Sequence, residues 1–296
     1  MIGIVTDSTV GLPPALAASL GIAIVPLVIL FDQEAVLDSD LDNSTLFRRL
    51  ESAPAFPHTS QPSPAAFAQT YSRLIAAGAE GILTIVLSAR LSGTYQTAQL
   101  ARELLPEEQR QVVPIEILDS QSAAIGMLPA VLKAAEEARQ GMPLAAIRAH
   151  AQEVLARTHF LGVLDTLEFV RRNGRLNGVL ATLGDLLDLK PILVLERGRI
   201  VSAGLARSRQ RAYHQLVQLI AALRPIEGII LGESSPGAAE DLRRALQTIY
   251  PGELPLYPLG PALALNTGPG TAAVAVVSRS PLALSEHAAN RDKQSA

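Results

Sequence analysis

Two short clusters of hydroxyl residues are the part of the chain best suited to chemistry. Residues 88–97 read Ser-Ala-Arg-Leu-Ser-Gly-Thr-Tyr-Gln-Thr and follow the apolar run at 81–87, which is typical of a buried strand. A helical pattern begins near Thr94, and the first backbone N–H groups of a helix have no partner within that helix. Such donors, with the hydroxyls of Ser92 and Thr94 beside them, predict a site that captures a small anionic group.

The second cluster is Thr59-Ser60-Gln61-Pro62-Ser63, which again precedes a helical stretch. Two neutral clusters of this kind indicate recognition of a small acidic head group. Ser and Thr are also ordinary helix N-caps, and capping alone accounts for Ser63 and Ser120. For Ser92 both interpretations, head-group binding and capping, stay open. We favour capping and loop structure for three further polar residues at strand ends, which are Asp7, Ser8 and Asp119.

Other kinds of catalytic or metal site find little support in the sequence. The chain has no cysteine, and its five histidines show no metal-ligand spacing. There is no Walker A sequence, and no serine is paired with a base as nucleophilic catalysis requires. The run Gly268-Pro269-Gly270 precedes a strand pattern, whereas a dinucleotide fingerprint links a strand to a helix. We therefore expect no metal, no cofactor and no catalytic residue.

Length and composition predict two domains without a membrane span. The chain of 296 residues is about twice a typical domain length, and its 48% hydrophobic residues can fill two cores. The longest apolar run, at 22–31, is interrupted by Pro26 and is too short to cross a bilayer. The amino-terminal segment enters a strand pattern at once and lacks the basic region of a signal peptide. We therefore expect a cytoplasmic protein.

Basic residues are concentrated between Arg171 and Arg211, where nine of them occur with three acidic residues. They favour either a solvated face or a docking surface for an acidic or phosphorylated partner. A nucleic-acid-binding regulator is a weaker alternative, because the net charge of −3 gives no general attraction to nucleic acid. We expect no nucleic-acid partner.

Apolar runs alternate with helical patterns, which indicates α/β domains with a mainly parallel first sheet covered by helices. In the first half the predicted strands cover 2–6, 22–30, 82–87 and 113–118, and the predicted helices 12–20, 45–51, 64–77, 94–105, 120–140 and 143–157. In the second half the predicted strands cover 160–164, 192–195, 200–205, 228–231, 255–257 and 272–277, and the predicted helices 167–172, 179–187, 207–223 and 236–249. A hairpin turn at 197–199 makes the second sheet mixed. We place the domains at 1–158 and 159–280, followed by a disordered tail at 281–296.

Taken in order, the motifs resemble the DegV family of bacterial fatty-acid-binding proteins. The resemblance implies two α/β domains with a long-chain fatty acid bound between them, and it implies no enzymatic activity. The matching segments are Val5-Thr6-Asp7-Ser8-Thr9, Pro26-Leu27, Thr59-Ser60-Gln61-Pro62-Ser63, Leu91-Ser92-Gly93-Thr94-Tyr95-Gln96, Asp119-Ser120, Leu167-Glu168-Phe169-Val170-Arg171-Arg172-Asn173-Gly174-Arg175, Lys190-Pro191-Ile192-Leu193, Gly260-Pro261 and Gly268-Pro269-Gly270.

The resemblance also implies the residues that hold the head group. The family usually has a histidine where this chain has Asn266, which can donate a hydrogen bond to a carboxylate but carries no charge. Head-group recognition by Asn266 is therefore expected, while the proton chemistry of a histidine is lost. The implied contacts of the fatty-acid carboxylate are the hydroxyls of Thr59, Ser60 and Ser92, the backbone of Gly93 and Thr94, and Asn266.

Some members of the family hand their fatty acid to a separate ATP-dependent kinase, which makes acyl-phosphate for phospholipid synthesis. The resemblance thus implies a carrier with a kinase partner, and it allows transient contact with a membrane. Arg171 and Arg175 are expected to face the partner or its phosphate, because guanidinium groups pair bidentately with phosphate. The alternative is a small-molecule phosphotransferase that uses the same anion site, since a fold does not dictate a function.

Overall fold

The structure, a computed structural model, describes residues 1–174 and 189–279. They form two α/β domains, one around a four-stranded parallel sheet and the other around a six-stranded mixed sheet. This architecture confirms the predicted fold class. The domain boundary at 158/159 stays a prediction, and the predicted helix at 179–187 and tail at 281–296 lie outside the described residues.

Helices and strands are interspersed throughout the described residues. The strands are β1 (Ile2–Asp7), β2 (Ile22–Val25), β3 (Val28–Phe31), β4 (Glu34–Leu37), β5 (His58–Ser60), β6 (Gly81–Val86), β7 (Ile115–Asp119), β8 (Thr158–Val163), β9 (Lys190–Glu196), β10 (Arg199–Ala206), β11 (Ile226–Glu233), β12 (Leu256–Pro258) and β13 (Ala272–Ser278). The described helices are α1 (Pro14–Ser19), α2 (Asn43–Ser52), α3 (Pro64–Ala76), α4 (Thr94–Glu103), α5 (Glu107–Val112), α6 (Leu128–Arg139), α7 (Leu144–Arg157), α8 (Glu168–Asn173), α9 (Arg209–Ala221), α10 (Glu240–Gln247) and α11 (Pro261–Thr267). Single 3₁₀ turns lie at Ser8–Val10, Asp38–Asp40 and Ala124–Gly126.

The amino-terminal sheet has the strand order β2-β1-β6-β7 and is parallel throughout. Every residue of β6 is buried, as expected for a strand covered on both faces. Helices α6 and α7 pack on one face, and α3 and α4 pack on the other. The chain leaves β1 towards β2 on one side and returns to β6 on the other, so a crevice opens at the carboxyl ends of β1 and β6.

The carboxyl-terminal sheet has the order β10-β9-β8-β13-β11-β12, and its pairs are antiparallel except for β11 with β12. Helices α9 and α10 cover one face of this sheet. On the other face, the small side chains of Ala273 and Ala275 pack against Ile125 and Leu259. Because Ile125 belongs to the amino-terminal half of the chain, this contact joins the two domains directly.

The turn between β9 and β10 confirms the predicted hairpin and makes a second contact between the domains. Arg197 and Gly198 both have positive φ, at 48° and 77°, as a two-residue hairpin turn requires. The hydroxyl of Ser88 donates to the carbonyl of Gly198 at 2.9 Å. A Cβ atom at position 198 would lie 2.4 Å from Ser88 Oγ, so only glycine fits this approach.

The single strand predicted at 22–30 is wrong. Strand β2 ends before Pro26, because proline has no N–H to donate within a sheet. Strands β2 and β3 belong to different sheets. Strand β3 instead pairs antiparallel with β4 and β5 in a three-stranded sheet that the sequence analysis missed. This small sheet carries Thr59 and Ser60.

The helix predicted at 120–140 is also wrong in its first third, because α6 begins only at Leu128. Gln121 and Ala124 have φ values of 49° and 51°, which no right-handed helix allows. Ser120 is therefore not a helix cap, and its hydroxyl donates to the carbonyl of Ser122.

The predicted cap at Ser63 is confirmed, since its side chain accepts from the backbone N–H of Ala66 at 3.2 Å. The short elements β4, β5, α5 and α11 were not predicted.

Candidate functional site

A cavity of about 260 Å³ lies at the crevice beyond β1 and β6, and both domains contribute to its wall. Open α/β sheets bind ligands at such a reversal of strand order. Its polar lining includes Thr59, Ser60 and Ser92 from the predicted clusters, Gly93 and Asn266. The apolar part of the wall consists of aliphatic side chains, namely Leu27, Leu87, Leu91, Ala123, Val170, Leu193, Ile200, Ala262 and Leu263.

The segment before α4 brings hydroxyl and amide groups together at one end of the cavity. Ser92 Oγ lies 2.8 Å from the hydroxyl of Thr94 and accepts from the backbone N–H of Thr94 at 3.3 Å. Thr94 is fully buried and does not line the cavity, so its hydroxyl contacts Ser92 and does not face the ligand space. The N-cap of α4 is Gly93 rather than Ser92. The hydroxyl of Ser92 is therefore partly exposed in the cavity at a helix N-terminus.

Thr59 and Ser60 reach the cavity because β5 pairs with β3, where Thr59 lies opposite Ile29. Both side chains are half-buried, and the hydroxyl of Ser60 makes only a long contact of 3.5 Å with the carbonyl of Gln61. Gln61 also lines the cavity, and its side-chain amide packs against Gly93, where a Cβ atom would lie 3.1 Å from Gln61 Nε2. The predicted cluster at 59–63 therefore contributes three residues to the cavity wall, of which Gln61 was not singled out from the sequence.

Asn266 enters from the other domain on α11. Its Nδ2 donates to the carbonyl of Ala262 at 2.7 Å and approaches the hydroxyl of Thr59 at 3.4 Å. The cavity therefore joins residues that are more than two hundred positions apart in sequence. Asn173 and Thr267 line the same wall, and the sequence analysis did not identify either of them.

The carboxyl groups of the buried Asp7 and the half-buried Asp119 accept hydrogen bonds from the loops around the cavity. Asp7, at the end of β1, accepts from the backbone N–H of Leu87 at 2.7 Å and of Thr9 at 3.0 Å. Burial raises the pKa of the Asp7 carboxyl above its ordinary value, although these hydrogen bonds oppose the rise. Asp119 similarly accepts from Ala89 and Gln121. The loop-forming roles favoured for Asp7 and Asp119 are confirmed.

Charged groups are absent from the described part of the cavity wall, where every polar side chain is a hydroxyl or an amide. Of the two arginines expected to face a partner, Arg171 lies half-buried on α8, one position after the cavity-lining Val170. Arg175 lies outside the described residues. The arrangement can hold a compact head group through neutral hydrogen bonds and enclose an aliphatic chain.

A larger open groove of about 820 Å³ is lined in part by residues that directly precede cavity-lining residues in the sequence. Its wall includes Ser8, Asp38 and Tyr257. The side chain of Asp38 is only 2% exposed, and it accepts from the hydroxyl of Ser8 at 2.7 Å. Burial raises the pKa of Asp38 to about 7. This buried acid was not identified from the sequence, because its burial depends on the pairing of β3 with β4.

Within residues 1–174 and 189–279, no helix is long and apolar enough to cross a bilayer. In the same ranges no group of three or more His, Asp or Glu side chains could hold a metal ion.

Comparison with known proteins identifies relatives along almost the whole chain. A family model described as an uncharacterised protein of the DegV family matches residues 1–279. A DegV domain-containing protein of Deinococcus radiodurans is 32% identical over 281 residues, which cover 93% of this chain and 98% of the relative. A second such protein, from Streptomyces coelicolor, is 32% identical over 284 residues, with coverages of 94% and 99%.

Solved structures share the same architecture. A DegV family protein from Thermus thermophilus, described by its fatty-acid binding, superposes with a TM-score of 0.83 at 33% identity, covering 94% of this chain and 99% of that protein. A stearic-acid-binding protein from Eubacterium ventriosum has a TM-score of 0.85 at 20% identity, with coverages of 94% and 99%. The protein from Eubacterium ventriosum supports the fold alone, because its identity is low. The protein from Thermus thermophilus is similar to this chain in both sequence and fold.

Proposed function

The chain belongs to the DegV family, and from this premise we propose that it binds one long-chain fatty acid non-covalently between its two domains. The observation that carries the proposal is the cavity beyond β1 and β6, where Thr59, Ser60, Ser92 and Gly93 meet a wall of aliphatic side chains. The relative from Thermus thermophilus, described as binding fatty acid, supports this choice of ligand.

The tail of the ligand supplies affinity and the head group supplies orientation. Burying about 14 methylenes contributes roughly 11 kcal/mol before the entropic costs of binding, at about 0.8 kcal/mol each. Burying a polar head group without hydrogen-bond partners would reduce the binding free energy by roughly 2–7 kcal/mol. The cavity therefore needs its polar end to fix the head group, and aliphatic side chains such as Leu193 and Ile200 to receive the tail.

Each polar residue has a separate role in this proposal. Ser92 donates its hydroxyl to the head group, and the N–H of Gly93 donates beside it at the start of α4. Thr94 orients the hydroxyl of Ser92 through their 2.8 Å contact. Thr59 and Ser60 approach the head group from β5, and Asn266 approaches it from the second domain.

Native mass spectrometry of the purified full chain tests fatty-acid binding directly. We expect a mass increase of one C14–C18 fatty acid per chain, and we expect the delipidated protein to take up one added palmitate. Methyl palmitate, which has the same tail without an acidic head group, serves as the control and should bind more weakly. If the chain carries no lipid and takes up no palmitate, the proposal is wrong.

We further propose that the protein is a cytoplasmic carrier that presents its fatty acid to a separate ATP-dependent kinase. The half-buried Arg171 on α8 directly follows the cavity-lining Val170 in sequence, and its guanidinium is of the kind that pairs with a phosphate group. Acyl-phosphate formed by the chain and ATP alone, without a kinase, would instead support a phosphotransferase.

A further inference from the structure

Asn43, the first residue of α2, joins the amino-terminal domain to two segments of the carboxyl-terminal domain. Its Nδ2 donates to the carbonyl of Leu259 at 2.7 Å and to the carbonyl of Ser234 at 2.8 Å. Exchanging the nitrogen and oxygen of the amide would place an acceptor oxygen against two carbonyls, so these partners fix its orientation. Both hydrogens of the amide are therefore bound by the second domain.

The two carbonyls that accept from Asn43 are connected to opposite ends of α11. Leu259 is fully buried and lies two residues before the first residue of this helix. Ser234 is linked to the other end, because its hydroxyl donates to the carbonyl of Gly268, directly after the helix, at 2.8 Å. One side chain thus reaches both ends of α11, the first directly and the second through Ser234.

Helix α11 supplies part of the cavity wall. The wall residues on this helix are Ala262, Leu263, Asn266 and Thr267. Of these, Asn266 approaches the hydroxyl of Thr59 on β5 at 3.4 Å, so the position of α11 sets the spacing between wall residues of the two domains. Asn43 lines the groove and is not part of the described cavity wall, so it can affect a ligand in the cavity only through other residues.

Other hydrogen bonds hold α11 to its own domain. The N–H of Leu259 donates to the carbonyl of Glu233 at 2.8 Å, and Nδ2 of Asn173 donates to the carbonyl of Leu265 at 2.8 Å. The hydrogen bonds of Asn43 come instead from α2, which belongs to the amino-terminal domain and packs against α11. They therefore determine how closely α11 lies to that domain.

We propose that Asn43 is a positioning residue for fatty-acid binding, which holds α11 against the amino-terminal domain so that both domains enclose the ligand. The inference rests on the proposed function and extends it to a residue outside the cavity. Removing the amide leaves the carbonyls of Leu259 and Ser234 without this donor and releases both ends of α11 from Asn43. The cavity wall is then less preorganised, and ligand affinity falls because binding must restore its geometry.

Asn43→Ala tests this role, because it removes both hydrogen bonds without changing an atom of the described cavity wall. Isothermal titration calorimetry with palmitate, well below the melting temperature of the variant, should show a dissociation constant raised by about tenfold. Asn43→Asp is a second variant of the same shape, whose carboxylate is repelled by both carbonyls, and it should weaken binding at least as much. Unchanged affinity in these variants overturns the inference.

The residues on either side of Asn43 provide matched controls, since both also line the groove. Asp42 caps α2 by accepting from the backbone N–H of Thr45 at 2.6 Å, and Ser44 donates to Asp42 at 2.7 Å. Asp42→Ala should lower the melting temperature, and both Asp42→Ala and Ser44→Ala should keep palmitate affinity within about twofold of the wild type. If Asp42→Ala weakens binding as much as Asn43→Ala does, lost stability of α2 explains the effect and the inference is wrong.

A double-mutant cycle with Asn266→Ala shows whether Asn43 acts through α11. Because Asn266 is carried by this helix, the loss of affinity caused by Asn43→Ala should fall from about tenfold to about threefold or less in the Asn266→Ala background. Fully additive losses would mean that Asn43 acts by another route, and they would overturn the inference. A wild-type chain that binds no palmitate would instead count against the proposed function.

Discussion

The cavity and the open groove are built from the same three segments of chain, yet their polar groups differ. Thr9, Leu27 and Ala262 line the cavity, whereas the residues directly before them line the groove, namely Ser8, Pro26 and Pro261. The groove is the larger, at about 820 Å³ against 260 Å³. Volume alone would therefore favour the groove as the ligand site.

The polar groups of the two walls favour the cavity instead. The buried carboxyl in the groove wall is Asp38, which as an acid repels a carboxylate once it is ionised. The cavity instead offers hydroxyl and backbone donors at the N-terminus of α4. The wall of the cavity thus offers neutral donors, whereas the wall of the groove contains a buried acid.

An acidic side chain in the cavity wall should have the largest effect on binding. Ile200→Asp places a carboxylate against the fatty-acid tail on the edge strand β10, and we expect palmitate affinity to fall by about 1,000-fold or more. The matched control is Leu256→Asp in the groove, where the side chain is 38% exposed. Isothermal titration calorimetry of both variants should show loss of binding only for Ile200→Asp. Equal losses would mean that the groove takes part in binding.

The buried acid of the groove should affect stability rather than binding. Because the folded-state pKa of Asp38 is raised from 3.8 to about 7, the unfolded chain ionises this group more readily. The protonated Asp38 carboxyl therefore makes its full contribution to the free energy of unfolding below pH 4. This contribution, up to about 4 kcal/mol, is lost as the pH rises to about 7.

Asp38→Asn should therefore flatten the fall of the melting temperature between pH 5 and pH 8, with unchanged palmitate affinity. Thermal unfolding of both proteins at several pH values measures the difference. Parallel pH profiles would show that Asp38 is not the group responsible.

Removing one hydroxyl from the head-group end should have an intermediate effect. We expect Ser92→Ala to weaken palmitate binding by about 1–3 kcal/mol, roughly 5- to 150-fold, because a buried head-group oxygen loses its donor. The matched control is Ser39→Ala in the groove, whose hydroxyl is exposed. A Ser92→Ala protein that melts at a lower temperature but keeps its affinity would support a purely structural role.

The smallest effect on binding is expected at Arg171, which follows the cavity-lining Val170 in sequence and is not itself part of the described wall. Arg171→Ala should change palmitate affinity less than about twofold, within about 0.4 kcal/mol, while it lowers acyl-phosphate formation with the kinase of the same organism. Phosphorylation assays with wild type and variant compare the two readouts. If the wild type yields no acyl-phosphate with that kinase, the carrier role is reduced to storage or transport.

Local patterns predicted the parts of the site that lie close together in sequence. The apolar run before residues 88–97 and the glycine at position 93 indicated a strand, a turn and a helix N-terminus, and the structure has all three. Local patterns could not predict that Thr59 and Ser92 line the same cavity. Their common location depends on the antiparallel pairing of β3 with β5, which is possible because strand β2 ends before Pro26.

The orientation of Asn266 was beyond sequence reasoning for a related reason. Its amide is fixed by a bond to Ala262, which exists only because α11 begins directly after Gly260. This short helix was not predicted, and the donor role expected for Asn266 came from the family resemblance alone. Likewise, Asp38 resembles any surface acid in sequence, and only tertiary packing makes it buried.

A crystal structure of the full chain with palmitate would show which of the two concave regions holds the ligand. We expect a carboxyl oxygen within about 3.2 Å of Ser92 Oγ and of the Gly93 nitrogen, with the tail against Leu193 and Ile200. Palmitate in the groove beside Ser8 and Asp38, with the cavity unoccupied, would contradict it.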